Sequence, residues 1–192
     1  MQRYTPIEIA RIARKTVKKY GTSNPFHLCE DMGICVKYMD LGRRTTSIKA
    51  MLVVHHRVKC IIINENLPYV IQYFIVAHEI GHAILHSKKA IQFTDTGLFD
   101  NTADTEQEAH IFAAELLLGD SDELLNDMLS FENLTMYQLA AAKNVPYELL
   151  AYKFGIMKEE GYKIPNLPEN PKSGFMLGML GMNKEYNYWD GE

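Results

Sequence analysis

Val76-Ala77-His78-Glu79-Ile80-Gly81-His82-Ala83-Ile84-Leu85-His86 is the stretch on which the reading of this 192-residue chain turns. On a helix of 3.6 residues per turn, His78 and His82 fall one turn apart and only ~40° out of line. Their imidazoles can converge on one cation, with Glu79 beside it as a carboxylate free to hold a water and accept its proton. Two neutral imidazoles suit Zn²⁺. In a chain of this composition, His-Glu-x-x-His arises by chance with a probability of about 0.02. The flanks lower that further, because Ile75, Ala77, Ile80, Ala83 and Ile84 surround the polar stripe with the apolar residues a buried helix needs. His86 continues the stripe about 80° round from His78, where support of the ligands or contact with the helix C-terminus suits it better than ligation.

Outward from this helix, which Pro68 opens, the preceding chain has strand character over 34–38, 48–55 and 58–64. The last two segments are close enough to form a hairpin, with His55 and His56 solvated at its tip. Thr5-Pro6-Ile7-Glu8 reads as a capping box for an N-terminal amphipathic helix that Gly21 can stop, and Asn24-Pro25 starts a shorter helix ending near Gly33. His27 carries no signal. After a polar loop rich in Thr, Asp and Gly, helical patterns cover 103–118, 122–129, 135–143 and 146–158.

The third ligand is sought in Glu106-Gln107-Glu108-Ala109-His110-Ile111-Phe112-Ala113-Ala114-Glu115-Leu116-Leu117. Glu106 and His110 are four apart, so both can face the motif helix. Glu108 lies ~200° from Glu106, and Glu115 is more than two turns further on. Glu108 reads as a solvated helix residue, and Glu115 as a partner for a buried polar group.

Ala-His-Glu-Ile-Gly-His at 77–82, paired with the downstream Glu-x-x-Ala-x-x-Phe-Ala-Ala-Glu-Leu-Leu, resembles the ImmA/IrrE family of zinc metallopeptidases. The strand ending Ile61-Ile62-Ile63-Asn64 fits the same pattern, and the resemblance covers about residues 20–160. It implies an α+β, zincin-like fold with two metal-bearing helices beside a small antiparallel sheet. It maps the third ligand onto Glu106, giving His78, His82 and Glu106 as metal ligands and Glu79 as the catalytic base. It also implies cleavage of repressors of phages, mobile elements or stress regulons. His110 departs from the Asn, Asp or Ser usual at its position, which leaves it as a hydrogen-bond partner of a ligand, a fourth ligand, or a donor to the transition state.

Composition is that of an ordinary soluble globular protein: 47% of residues are apolar and 23% charged. A net charge of −4 argues against a protein built chiefly to grip phosphates, although residues 1–20 carry six basic side chains against Glu8 alone. Residues 95–132 hold eleven acids and no Lys or Arg. The longest apolar stretch, around 70–77, is too short to span a bilayer, and no secretory signal is visible. Cys29, Cys35 and Cys60 have neither metal-ligand spacing nor a disulfide framework, so a reducing cytoplasm is expected.

Residues 135–153 have the look of a helix-turn-helix, with Leu139 and Ala140 packing on Val145 and Leu149. Lys143, Lys153 and Lys158 are offset there by Glu132, Glu148, Glu159 and Glu160, which argues against direct DNA binding. The expected organisation is a zincin-like domain over 1–130, a helical helix-turn-helix-like subdomain over 131–163, and a Pro/Gly/Met-rich tail over 164–192. The expected function is zinc-dependent cleavage of a helix-turn-helix repressor in the cytoplasm, one strand of the hairpin holding substrate. The alternatives are a regulatory protein with structural zinc that binds a repressor or DNA without cutting, and a metalloenzyme acting on small molecules.

Overall fold

The computed structural model describes residues 4–44, 46–56, 58–86, 92–95, 104–130 and 135–164. The tail expected over 164–192 lies almost wholly outside the described residues. Helix α1 (Pro6–Tyr20) begins at the capping box: the Thr5 hydroxyl accepts from the Glu8 N–H, and the Glu8 carboxylate accepts from the Thr5 N–H at 2.8 Å. It ends at Gly21, whose φ of 72° is left-handed backbone that glycine adopts without steric cost. The Asn24 side chain accepts from the Phe26 and His27 amides and starts α2 (Pro25–Asp31).

Strands β1 (Ile34–Met39), β2 (Ala50–His55) and β3 (Val58–Asn64) precede the motif helix α3 (Tyr69–Leu85), and β4 (Gln92–Asp95) follows it. The sheet order is β1-β3-β2-β4. β2 and β3 form the expected antiparallel hairpin and β4 pairs antiparallel to β2, but β1 runs parallel to β3. The sheet is therefore mixed, not antiparallel. β1 joins the hairpin on the β3 side. Alternation of side chains specifies a strand's two faces and says nothing of its direction. The same arrangement overturns the hairpin strand as substrate edge, since β1 covers β3 and β4 covers β2. Among the described residues, the free edges belong to β1 and β4.

One face of the sheet is buried through Ala50, Leu52, Ile61 and Ile63, and α3 packs against β2 and β3 with Ile71, Phe74 and Ile75 fully buried. Helix α4 (Asp104–Leu118) lies against α3, and its other neighbours are α1 and α7. Gly81 permits this contact: a Cβ there would sit 3.2 Å from both the Ala109 Cα and the Phe112 Cβ of α4. The glycine inside the motif thus sets the spacing between the two helices that carry the candidate ligands. Helices α5 (Ser121–Ser130), α6 (Met136–Ala142) and α7 (Tyr147–Glu159) complete the described chain. A second capping box, Thr135 with Gln138, starts α6, and Asn144, at φ 52°, makes the turn into α7. Leu149, Leu150, Phe154, Ile156 and Met157 of α7 are buried in the same core as α3 and α4. Among the described residues, no helix is long and apolar enough to cross a membrane.

Candidate metal centre

The site is built where α3 and α4 meet. His78 and His82 project from the same stripe of α3, and Glu106 comes from the first turn of α4. The Nε2 atoms of His78 and His82 lie 3.0 Å apart, and the Glu106 carboxylate places Oε2 3.2 Å from His78 Nε2 and Oε1 3.3 Å from His82 Nε2. Among the described residues, these three form the group of side chains able to hold a metal ion. The triangle they outline can be tested against coordination chemistry. A tetrahedral Zn²⁺ bound at about 2.0–2.1 Å requires its ligand atoms to be about 3.3 Å apart. Glu106 meets the two imidazoles through different carboxylate oxygens, and one ligand atom from each of the three residues lies within 4.8 Å of the others, so the group is compact enough to close on such an ion.

Electrostatics favours the same use. Burial raises the Glu106 pKa, but hydrogen bonds from His78 and His82 more than offset it and hold the carboxyl well below the usual range. Glu106 is thus ionised, as a ligand must be. Glu79 is fully buried in α3, one residue past His78.

His110 does not join the three-residue group. Its ring lies between Phe74 (centroids 6.0 Å apart, planes 9° apart) and Tyr152 of α7 (5.5 Å, 12°), with the His78 ring 4.5 Å away. Burial drives its pKa well below the ordinary value, so the imidazole is neutral. His86 caps the end of α3, its Nε2 3.5 Å from the Glu108 Oε2. Glu108 is therefore buried beside His86, against the expectation of a solvated residue. The close approach of α4 to α3 at Gly81 buries side chains on more of α4 than a single facing stripe. His55 and His56 are exposed at the hairpin tip, as expected.

Sequence reasoning passed over Tyr152, because nothing in its spacing links it to a site 42 residues away. It also passed over the full extent of the network around Glu115. That carboxylate, 2% exposed, accepts from Lys153 Nζ at 2.8 Å and from Arg14 Nε at 2.5 Å, and Lys153 also donates to the Gly119 carbonyl at 2.6 Å. Arg14 extends the network with two bonds to Glu160 at 2.7 and 2.9 Å. The network ties α1, α4 and α7 together.

The buried imidazoles set an acid limit on the metal-free protein. Burial, reinforced by His82, lowers the His86 pKa to about 4, and burial lowers that of His110. Between about pH 6.5 and 4 the unfolded chain binds protons that these two residues refuse in the fold. Stability therefore falls as the pH drops through that window, each group shifting the folding equilibrium by up to about tenfold per pH unit. Thermal melts of chelator-treated protein should show Tm declining steadily from pH 7 to pH 5. A flat profile would show that these imidazoles are protonated in the fold.

Two helices braced on a small mixed sheet, with a His-His-Glu triangle at their contact, define the class as metallopeptidase-like, and comparison with known proteins agrees. The family model described as IrrE N-terminal-like domain, of the M78 peptidases, matches residues 29–154. The chain belongs to this ImmA/IrrE family of metallopeptidases. It is 33% identical over 155 residues to a Bacillus subtilis (strain 168) protein named metallopeptidase ImmA, covering 78% of this chain and 86% of that protein. It is also 33% identical over 150 residues to uncharacterized immunity region protein 2 of Bacillus phage phi105, covering 78% of this chain and 90% of that one. No solved structure gives a significant match.

Proposed function

We propose that this chain is a zinc-dependent endopeptidase that cuts a transcriptional repressor in the cytoplasm, with His78, His82 and Glu106 as its metal ligands and Glu79 as its proton carrier. The observation that carries the reading is the gathering of two imidazoles and one carboxylate, with one ligand atom from each within 4.8 Å of the others; three protein ligands would leave the fourth position of a zinc ion to a water. The position of His110 outside that group favours catalytic over structural zinc. Zinc bound there supplies a Lewis acid that polarises the scissile carbonyl and makes water nucleophilic at neutral pH. Glu79 takes the proton from the attacking water on its carboxylate and passes it to the leaving amine nitrogen. Glu106, held ionised, balances charge at the site, and the Phe74–His110–Tyr152 stack holds the His78 ring in place.

β4 is an outer strand of the sheet and follows the motif helix in the chain, and we assign to it the role of pairing with substrate in extended form. The immunity-region name of the phage relative supports a repressor as substrate. The α6–α7 pair is read as the helix-turn-helix-like part of the chain, serving as a packing unit and not as a DNA reader. Its second helix is buried, Lys153 is spent on Glu115, and Lys143 is spent on Asp127 at 2.5 Å.

The test is metal analysis of wild type and Glu106→Ala, together with incubation of each with the helix-turn-helix repressor encoded nearest the gene. Wild type should hold one zinc per chain and cut the repressor at one place, and Glu106→Ala should lose both. Full zinc retention by Glu106→Ala would remove Glu106 from the ligand set. Firm zinc with the repressor bound but uncut would favour the binding-protein alternative.

A further inference from the structure

The register of β1 against β3 sets Cys35 directly opposite Cys60. Neighbouring strands lie about 4.8 Å apart, inside the range of Cα separations, about 4.4–6.8 Å, that a disulfide bridges. The flanking partners Val36 and Ile61 point into the core, so the two cysteines share the opposite face of the sheet. Both are half-buried, hence reachable by a small oxidant. Cys29 differs on each count: it is fully buried in α2, and burial pushes its thiol up to about 12.

We propose that Cys35 and Cys60 form a reversible oxidation site for small hydroperoxides, closing a disulfide between β1 and β3 without opening the fold. Burial and the neighbouring Cys35 thiol push the Cys60 thiol up to about 11, so it keeps its proton at neutral pH and suits the second, resolving step. Cys35 attacks the peroxide: its sulfur gains one oxygen as the O–O bond breaks, giving a sulfenic acid and one water. The Cys60 sulfur then displaces that hydroxyl, which leaves as a second water with the Cys60 proton. In sum, two thiols are oxidised and one hydrogen peroxide is reduced to two waters. In-register parallel strands hold the two Cβ atoms near the strand spacing, wider than the roughly 3.5–4.5 Å of a relaxed disulfide. The bridge is therefore strained and half-exposed, which makes it easy to reduce again. None of the three metal-holding side chains takes part, so the inference stands apart from the peptidase reading.

The experiment treats the full-length protein as purified with hydrogen peroxide and follows intact mass, thiols titrated in denaturant, and metal content. The expected result is a monomer lighter by about 2 Da, with Cys29 as its remaining thiol, unchanged metal, and full recovery with dithiothreitol. Cys60→Ser should stop at the sulfenic acid on Cys35, trapped with dimedone, and Cys35→Ser should show no loss of mass. Peptide mapping of oxidised wild type locates the Cys35–Cys60 link without reliance on either variant. Survival of all three thiols would overturn the proposal. So would oxygen addition without a cross-link, or a link made through Cys29 or a second chain.

Discussion

Replacing Glu79 by Gln should abolish repressor cleavage while leaving the metal in place. The substitution keeps the size of the side chain and takes away its basicity, so a proton on the attacking water has nowhere to go. General acid–base groups contribute about 10²–10⁴-fold in rate, and a loss of that size is expected here. His78, His82 and Glu106 are untouched, so zinc per chain and the affinity for uncut repressor should equal those of wild type. Single-turnover cleavage followed on gels, beside metal analysis of the same samples, makes the comparison. Turnover retained in Glu79→Gln would take the proton-transfer role from this residue. Zinc lost along with activity would make Glu79 a support of the ligand set.

Glu115→Ala should produce the largest loss of stability. Lys153 is fully buried, and its ammonium group bonds to Glu115 and to the Gly119 carbonyl. Removing the carboxylate strands that charge inside the protein, a change that costs about 3–5 kcal/mol where one partner of a buried pair is deleted. For a chain of this size the corresponding fall in Tm is roughly 10 °C. Arg14 loses one of its partners but is partly exposed and keeps Glu160, so its share of the loss is small. The double variant Glu115→Leu with Lys153→Met removes both buried charges and should recover most of the lost stability, because apolar residues of similar volume suffer no desolvation penalty. Denaturant unfolding of wild type, Glu115→Leu, Lys153→Met and the double variant closes the cycle and measures the coupling. A cost below about 1 kcal/mol for Glu115→Ala would mean that water reaches Lys153 once the carboxylate is gone. Because α4 also carries Glu106, Glu115→Ala should loosen α7 from the helix that supplies this candidate ligand.

Legibility differed sharply between these two sites. The candidate ligand pair on α3 is written in a spacing of four, which helix geometry converts directly into proximity, and the capping boxes at Thr5 and Thr135 announce their helices in four residues each. The helix limits follow the expectations to within a residue or two because periodicity and caps are local. The direction of β1 was not legible: its apolar alternation is the same whether it runs with or against β3. β4 was missed altogether. It is four residues long in a polar stretch, and what makes it a strand is the open side of β2. Glu108 is buried where helix angle alone suggests a solvated residue, because that angle does not report how closely a neighbouring helix approaches.

By itself, the sequence determined the helices, the hairpin, the two imidazoles and the carboxylate between them, all consequences of spacing within one element. Only the tertiary structure decided the rest. It brought Glu106 to 3.2 Å from His78 across 28 residues of chain, kept His110 out of the His78–His82–Glu106 group, and joined Lys153 to Glu115. It also set Cys35 against Cys60 and occupied both sides of the hairpin. Each of these depends on how elements distant in sequence pack, and that is decided by the burial of whole faces and by the small size of Gly81 at the α3–α4 contact.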